Sequence, residues 1–276
     1  MKIGIVAIPG TGVATHPSAV IDRFLEFGRK TEALGFEGLW MTDSLGRGPA
    51  SLDPMMVMSA LCGATKRIEL GTGVMQVPLR HPVELAHRAQ TLAVLSAGRF
   101  RFGVGSGSTK HDFDAVQVDY ERRFKLLPEY LAIMRRVWAN EAVFGPALGI
   151  WPHAEGGPPV YLGAWRSPRW IDLAARHCAG WIASGIYADL PDLRAGVAMF
   201  RAAGGKRAIL ANVFVDLRAE PEMHPVVARA KVHMVCDKAE ARDRFRRIED
   251  VGVDDVLLAC PFGDISQLDA IREIAG

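Results

Sequence analysis

The sequence is poor in cysteine and has no long apolar run. Its 276 residues include only four cysteines, and no two of them form a C-x-x-C pair. Scattered thiols of this kind are typical of reduced cytoplasmic proteins, so we expect a cytoplasmic location and no disulfide framework. No apolar stretch approaches the ~20 residues of a membrane span, so no membrane partner is expected. The apolar start MKIGIVAIPG is interpreted as a first β-strand rather than a signal peptide.

An excess of charge of one sign is also missing. Thirty-three basic residues stand against 31 acidic ones, which gives a formal net charge of +2. Because no basic run or basic–aromatic stripe occurs, we do not expect nucleic acid as a partner. No H-E-x-x-H motif occurs, and His81 and His87 are too far apart to share a helical face as i, i+4 ligands. We therefore predict no metal site.

The stretch GRFRFGVGSGSTKHD, at residues 98–112, brings three closely spaced glycines after an apolar run. Such glycines let backbone N–H groups approach an anion. The spacing does not fit the G-x-G-x-x-G dinucleotide fingerprint, because Ser108 or Lys110 occupies the position of the third glycine. It does not fit a P-loop either, in which a glycine directly precedes the lysine. By itself, the stretch is equally compatible with a strand that ends in a flexible turn.

Short apolar runs alternate with longer helical patterns about eight times along the chain. The predicted strands are Ile3–Ile8, Gly38–Thr42, Ile68–Val74, Arg101–Val104, Val160–Leu162, Trp181–Ala183, Ile209–Val215 and Asp255–Ala259. The predicted helices are those from Ser18 to Gly35, Met55–Ala64, Pro82 to about Ala97, Tyr120–Ala139, one beginning at Pro168, Pro191–Ala203, Ala239–Asp250 and Ile265–Ala275. The segment Glu220–Cys236 is compatible with helix, loop or strand.

Eight βα units in about 250 residues match a (β/α)8 barrel, which we expect to form one domain over residues 1–276. The rival is an open, doubly wound sheet. That fold should carry a nucleotide fingerprint after its first strand, where this sequence instead has Pro9-Gly10-Thr11-Gly12. The sequence therefore favours the barrel.

In such a barrel, function lies where strands end and βα loops begin. The turn LGAWRS, residues 162–167, precedes Pro168 at a helix start, and a helix N-terminus favours a phosphate. Arg166 and Ser167 would add a charge and a hydroxyl, although Ser167 could equally cap the helix while Arg166 is solvated. Gly71 and Gly73 inside strand three indicate either a bulge that bears a flat ring or a simple bend.

Other catalytic chemistries lack the residues they need. Lys110 is the only lysine near a strand end and lies in a predicted loop, so a Schiff base is not expected. Asp43 stands nearly alone at the rim, without the second carboxylate of a glycosidase. Elimination therefore favours a cofactor that brings its own reactivity.

The chain resembles the bacterial luciferase-like family, the flavin- and coenzyme F420-dependent oxidoreductases with a (β/α)8 barrel. The resemblance is dense from about residue 30 to residue 185. The motifs that carry it, in order, are EALGF (32–36), LWMTD (39–43), AT with RIELGTGV (64–74), PLRHP (78–82), L with LSAGRF (92–100), FGVGSG (102–107), RRF (122–124), RRVW (135–138) and LAAR with GW (173–181).

The resemblance implies reduced FMN or F420 as the cofactor, and either monooxygenation or hydride transfer on a small organic substrate. A separate flavin or F420 reductase and a homo-oligomeric state, dimer or tetramer, are further expectations. The ring would lie on a bulge, often with a non-prolyl cis peptide, which matches Gly73 and Val74. The residues matching the phosphate turns are Ser106, Gly107 and Ser108 after strand four, and Gly163, Ala164, Trp165, Arg166 and Ser167 after strand five.

The chain departs from the family pattern at three positions. Ser44 follows Asp43 where many relatives have a histidine near the flavin, and Ser108 stands where several F420-dependent sugar-phosphate dehydrogenases have a glutamate proton donor. Ser106 stands where luciferase has an arginine. These departures argue against a luciferase and against a sugar-phosphate dehydrogenase, and they leave the choice between FMN and F420 open.

The predicted catalytic residues are therefore Asp43 and Ser44, with His111 as the nearest histidine at the rim. For Asp43, a structural role in holding the loop is somewhat favoured over catalysis. Two alternatives to an oxidoreductase remain open at this point. One is a flavin-binding barrel without catalysis, and the other is a cofactor-free lyase or isomerase that acts on a phosphorylated substrate.

Overall fold

The computed structural model of the chain describes residues 1–7, 17–45, 47, 50–221, 223, 225–260 and 264–275. Its strands are β1 (Lys2–Ala7), β2 (Gly38–Met41), β3 (Glu69–Thr72), β4 (Met75–Gln76), β5 (Phe100–Gly105), β6 (Val160–Gly163), β7 (Gly180–Ser184), β8 (Ala208–Asp216), β9 (His233–Val235) and β10 (Asp255–Cys260). Its helices are α1 (Pro17–Ala33), α2 (Pro54–Ala64), α3 (Pro82–Leu95), α4 (Lys110–Ala115), α5 (Arg123–Trp138), α6 (Pro168–His177), α7 (Leu190–Ala202), α8 (Pro225–Ala228), α9 (Lys238–Glu249) and α10 (Ile265–Ile274). Short 3₁₀ turns cover Val77–Leu79 and Tyr120–Arg122.

Among the described strands, eight form a closed parallel barrel. They follow one another in the order β10-β1-β2-β3-β5-β6-β7-β8, and β8 pairs with β10 to close the ring. The remaining two lie off the ring, since β4 pairs with β5 beyond the end of β3, and β9 pairs with the last residues of β8. The predicted (β/α)8 barrel is confirmed.

The structure differs from the sequence prediction in several elements. The predicted strand Ile68–Val74 is split, because β3 ends at Thr72 and pairing resumes at Met75. The Gly73–Val74 peptide bond between the two pieces is cis, as the family resemblance implies. Lys110 was predicted in a loop, and this is wrong, because it begins helix α4. That helix has only six residues, too few to show a helical period in the sequence.

One segment that the sequence left ambiguous now has an outcome, whereas several other predicted positions do not. The ambiguous segment from Glu220 to Cys236 holds both helix α8 and strand β9. The predicted end of the first strand at Ile8 and the turn Pro9-Gly10-Thr11-Gly12 lie outside the described residues, as do residues 46 and 261–263, which follow two other predicted strands.

Trp40 fills the centre of the barrel. Its ring meets the Tyr161 ring edge-on, with centroids 6.1 Å apart. A Cβ at Gly71 would lie 2.3 Å from the Trp40 ring, so a glycine in β3 is what admits the indole. The two aromatic residues belong to an interior cluster with Val6, Ile182, Ile209, Ala211, Leu257 and Ala259. A larger apolar cluster lies between the strands and the surrounding helices.

Charged residues close the amino-terminal end of the barrel. The Arg207 guanidinium donates two hydrogen bonds of 2.8 Å to Asp255, and it also donates to both carboxylate oxygens of Glu69, at 3.1 and 2.8 Å. Arg101 donates to Glu69 as well, at 2.8 Å. Burial alone would raise the pKa of Glu69, but the hydrogen bonds and charges of these arginines lower it below its ordinary value.

None of the described helices is long and apolar enough to cross a membrane.

Candidate functional site

Val74 forms an apolar platform at the carboxyl end of the barrel. Its side chain packs on the interior cluster and extends over the ends of β5 and β6. A Cβ at Gly105 would lie 2.6 Å from one Val74 methyl group, and a Cβ at Gly163 would lie 3.0 Å from the other. Glycine at both strand ends therefore allows Val74 to lie flat across the carboxyl-terminal opening of the barrel, which we call the mouth.

The loop after β5 packs closely on Gln76 and Phe113. Gly107 has a φ of +83°, and a Cβ there would lie 2.7 Å from both Gln76 Oε1 and the Phe113 ring. A side chain at this position would therefore be strained and would also clash. On either side of Gly107, Ser106 is half-buried and Ser108 is exposed. The three predicted phosphate-binding residues thus form one short, partly exposed turn.

The loop after β6 lies on the neighbouring side of the mouth. Ala164 is buried, and its carbonyl accepts a 2.7 Å hydrogen bond from the Trp181 indole. Trp165 stacks on Tyr187 with ring centroids 3.8 Å apart, which joins this loop to the one after β7. The Trp181 indole and the Tyr187 ring thus hold the predicted loop in place.

The two polar residues of this loop differ in their surroundings. The Arg166 side chain is 63% exposed and donates to Asp192 at 3.3 Å. Ser167 is the N-cap residue of α6, but its hydroxyl makes no capping hydrogen bond. The hydroxyl is therefore available to another acceptor or donor, whereas Arg166 already has an exposed ion-pair partner.

Arg123 is a further candidate site residue, which the sequence shows only as part of the RRF motif. Its guanidinium lies 3.6 Å from the Tyr120 ring centroid and 4.2 Å from the Phe124 ring centroid, so two aromatic faces hold it. Nη1 donates to the Tyr120 carbonyl at 2.9 Å, while Nε is buried and has no hydrogen-bond partner. A buried donor without an acceptor is rare in proteins and calls for a partner.

The two aromatic partners of Arg123 each contact one of the predicted phosphate loops or the helix that follows it. The Tyr120 hydroxyl donates to the Ser108 carbonyl in the loop after β5, at 3.1 Å. Phe124 packs against Trp170 in the first turn of α6, with ring centroids 6.3 Å apart. The guanidinium therefore lies between the loop after β5 and the helix start after β6.

Asp43 is held in a buried ion pair. Its side chain is 2% exposed and accepts hydrogen bonds of 2.6 and 2.8 Å from the Arg80 guanidinium, and a further one of 2.9 Å from the Gln76 backbone N–H. Burial alone would lower the pKa of Arg80, but its bonds to Asp43 raise it. These contacts favour the structural role of Asp43, and its catalytic role stays a prediction.

Asp112 and Gln76 extend this network, and sequence reasoning missed both. Asp112 is fully buried and accepts hydrogen bonds from the Arg47 guanidinium, at 2.7 Å from Nη2, and from the Leu45 backbone N–H. The Gln76 amide donates to Asp112 at 2.8 Å and to the Asp43 carbonyl at 3.1 Å. The network thus ties the loop after β2 to strand β4 and to helix α4.

The side chains of the other two predicted catalytic residues have different partners. The Ser44 hydroxyl donates to Ser51 at 3.2 Å. His111 is 80% exposed on helix α4, with Nδ1 3.9 Å from the Asp114 carboxylate. The structure therefore does not place His111 beside the Asp43 carboxylate. Within the part of the chain that the structure describes, no group of three His, Cys, Asp or Glu residues could hold a metal ion.

A model of the luciferase-like monooxygenase family matches residues 1–273. The chain is 29% identical over 198 residues to 4-hydroxyprotoasukamycin monooxygenase of Streptomyces nodosus subsp. asukaensis, which covers 67% of this chain and 53% of that protein. It is 29% identical over 234 residues to the F420-dependent hydroxymycolic acid dehydrogenase of Mycobacterium tuberculosis, which covers 76% of this chain and 64% of that protein. The matches thus span about half to two thirds of the length of these curated relatives.

The fold is shared with solved structures. Monooxygenase RslO1 from Streptomyces bottropensis superposes with a TM-score of 0.84 over 99% of this chain and 98% of that chain. Its sequence identity to this chain is 21%, so the likeness shows the fold alone.

Proposed function

The chain belongs to the luciferase-like monooxygenase family, and on this premise we propose that it is an oxidoreductase that uses reduced FMN or F420 at the carboxyl end of its barrel. We further propose that residues 1–276 form one barrel domain. The substrate is a small organic molecule, and the reaction is monooxygenation or hydride transfer. One curated relative is named as a monooxygenase and another as an F420-dependent dehydrogenase, which supports both options.

The observation that carries the proposal is the Val74 platform. A flat tricyclic ring needs an apolar surface that no neighbouring side chain overhangs. Val74 supplies that surface, and Gly105 and Gly163 leave it free, since each lacks the Cβ that would displace it. When bound there, the cofactor supplies the redox chemistry, while the protein binds and orients the ring.

Arg123 is the residue we assign to the cofactor phosphate. Its guanidinium lies between the two loops that hold Ser106, Ser108 and Ser167, and its Nε has no acceptor. A guanidinium fork suits a phosphate, and each charged hydrogen bond contributes about 1.5–3 kcal/mol. Arg166 would be a second, weaker contact, because it is exposed and already paired with Asp192.

The polar network under the mouth would position the loops. Asp43, through Arg80 and Gln76, holds the loop that carries Ser44. The Ser44 hydroxyl can donate or accept a hydrogen bond, but it titrates far above neutral pH and does not act as a base unaided. We therefore expect no histidine-like step near pH 6.5 from this position.

Cofactor titration with matched arginine variants tests the proposal. FMN, riboflavin and F420 are each titrated into the wild-type protein, Arg123→Ala and Arg122→Ala. Arg122 is the adjacent, exposed arginine. Its variant therefore removes the same charge from a position outside the space between the Tyr120 and Phe124 rings. We expect Arg123→Ala to weaken FMN binding roughly 10- to 100-fold and to leave riboflavin binding unchanged. Arg122→Ala should bind all three ligands like the wild type.

Two outcomes would contradict the proposal. If neither FMN nor F420 binds the wild-type protein, the cofactor class is wrong. If Arg123→Ala weakens FMN and riboflavin equally, Arg123 does not contact the phosphate. For F420, the corresponding comparison uses the deazaflavin that lacks the phosphate.

A flavin-binding barrel without catalysis is the second candidate. The observation that favours it is the placement of the predicted acid–base residues. The Asp43 carboxylate is paired with Arg80, and His111 lies on the exposed side of α4. Cofactor binding without substrate-dependent oxidation, measured with a panel of alcohols, aldehydes and ketones, would support this candidate over the oxidoreductase.

A further inference from the structure

Strand β8 carries a second irregularity of the barrel. Its register with β10 runs from Leu210 opposite Val256 to Val213 opposite Leu258, so Ala211 and Asn212 together face one residue. Asn212 has a φ of +58° within this strand. Asparagine is one of the few residues other than glycine that adopts this conformation readily. Such bulges re-aim side chains and are enriched beside active sites.

The bulge lies opposite the Val74 platform. In the closed ring, β8 is four strands away from β3 in either direction, by way of β7, β6 and β5 or by way of β10, β1 and β2. The interruption at Gly73 and Val74 and the bulge at Asn212 therefore belong to opposite sides of the ring of strands. A flat ring on Val74 that spans the mouth would extend toward Asn212.

The side chain of Asn212 is fixed by a hydroxyl on the next strand. Ser184 ends β7 two residues after Ile182 of the interior cluster, so its side chain shares the inward face. Asn212 Nδ2 donates to Ser184 Oγ at 3.2 Å, and Ser184 is 5% exposed while Asn212 is half-buried. This bond leaves Asn212 Oδ1 as a hydrogen-bond acceptor to which no described residue donates.

We infer that Asn212 is a ring-recognition residue whose Oδ1 accepts a hydrogen bond from the N3–H of the flavin or deazaflavin pyrimidine ring. The inference rests on the proposed function. The pyrimidine edge of both FMN and F420 presents one N–H between two carbonyl groups. An acceptor that Ser184 holds in one orientation complements that N–H. Asn212 would therefore select this edge in either cofactor, and it would not distinguish FMN from F420.

An N3-methylated ligand isolates this contact, because methylation removes the donor and leaves the rest of the ring. Binding of the natural cofactor and of its N3-methyl form is measured by fluorescence titration. The wild-type protein should prefer the natural form about three- to tenfold, as expected for one neutral hydrogen bond. Asn212→Gly keeps the positive φ without a side chain and should lose the preference. Asn212→Asp keeps an acceptor oxygen and should retain it.

The alternative is that Asn212 only joins β8 to β7. In that case Asn212→Gly would lower the affinity for both ligands equally and leave the preference unchanged, which would overturn the inference. Equal binding of both ligands by the wild type would also overturn it. Asn212→Ala, which lacks the oxygen too, is measured beside Asn212→Gly so that the answer does not depend on one variant folding. If neither FMN nor F420 binds the wild type, the proposed function itself has failed.

Discussion

Replacement of Asp43 by asparagine should lower the free energy of unfolding of the protein. The turnover of each folded molecule should change little. The substitution keeps the size and one acceptor oxygen of the side chain but removes its charge. Asp43 and Arg80 are 2% and 15% exposed, and two hydrogen bonds of 2.6 and 2.8 Å join them. In the variant, an amide NH₂ faces one of the guanidinium N–H groups, so one of these bonds is lost and the Arg80 charge stays buried.

The size of the effect follows from the burial of the pair. Removal of one partner from a buried ion pair costs about 3–5 kcal/mol. Because asparagine keeps one acceptor and the Gln76 N–H can still donate to it, we expect the lower limit, about 3 kcal/mol. For a domain of this size, each kcal/mol shifts the melting midpoint by roughly 2–4 °C, so the midpoint should fall by about 6–12 °C.

Asp53→Asn is the matched control. Asp53 is a weaker partner of the same guanidinium, 3.8 Å from Arg80, and it also caps helix α2. Asparagine caps a helix about as well as aspartate, so this variant changes only the distant charge. Its midpoint should fall by less than about 3 °C.

Thermal unfolding, cofactor binding and turnover per folded molecule are measured together for both variants. An Asp43→Asn midpoint within the range of the control would refute the structural role. Lost turnover together with an unchanged midpoint and intact cofactor binding would instead support a catalytic Asp43.

Four further predictions concern other parts of the barrel. Gly73→Ala should keep its melting midpoint, because a Cβ there meets nothing closer than 3.8 Å, but it should weaken FMN binding if the ring lies above it. Gly105→Ala should lower stability by about 1–3 kcal/mol, because its Cβ would displace Val74, and thermal melting compares the two variants. Arg166→Ala should weaken FMN binding less than about threefold at moderate salt, since its ion pair is exposed; a larger loss in titration would make it a main phosphate contact. Glu69 has a lowered pKa in the folded protein, so its contribution to stability is present above its ordinary value of 4.5 and is lost as the pH falls through the lowered value. Denaturant unfolding between pH 7 and pH 3 should therefore show a smaller acid loss for Glu69→Gln than for the wild type.

The barrel could be predicted from the sequence because its signals are local. Each buried strand is a short apolar run, and several helices have their own start signal, such as Asp53 before Pro54, which does cap α2. The interruption of the third strand was also visible, since two glycines broke an otherwise apolar run. Asn212 offered a comparable signal, because asparagine is depleted in strands, but its run was interpreted as regular.

The polar network of Asp43, Arg80, Gln76 and Asp112 could not be predicted in this way. The same is true of the packing of Arg123 between two aromatic rings. Gln76 and Asp112 are 36 residues apart, and Arg47 and Asp112 are 65 residues apart. Such pairs form only once the barrel brings the loops together, and a single sequence carries no signal for them. Arg123 was visible as a motif residue, but its aromatic partners Tyr120 and Phe124 acquire meaning only from the 3₁₀ turn that precedes α5.

Paired charges stabilise both ends of the barrel, and those at the amino-terminal end lie away from the candidate site. Arg207, Glu69, Asp255 and Arg101 lock the amino-terminal end with paired charges, and Trp40 fills the centre. Because these contacts do not involve the βα loops, the loop residues outside the buried Asp43–Arg80 pair can vary in sequence without loss of the barrel. A constant barrel with variable loops accounts for relatives that share the fold and bear the names of different reactions. The substrate of this chain must therefore be sought in the loop residues around the Val74 platform, such as the Trp165–Tyr187 stack, rather than in the strands.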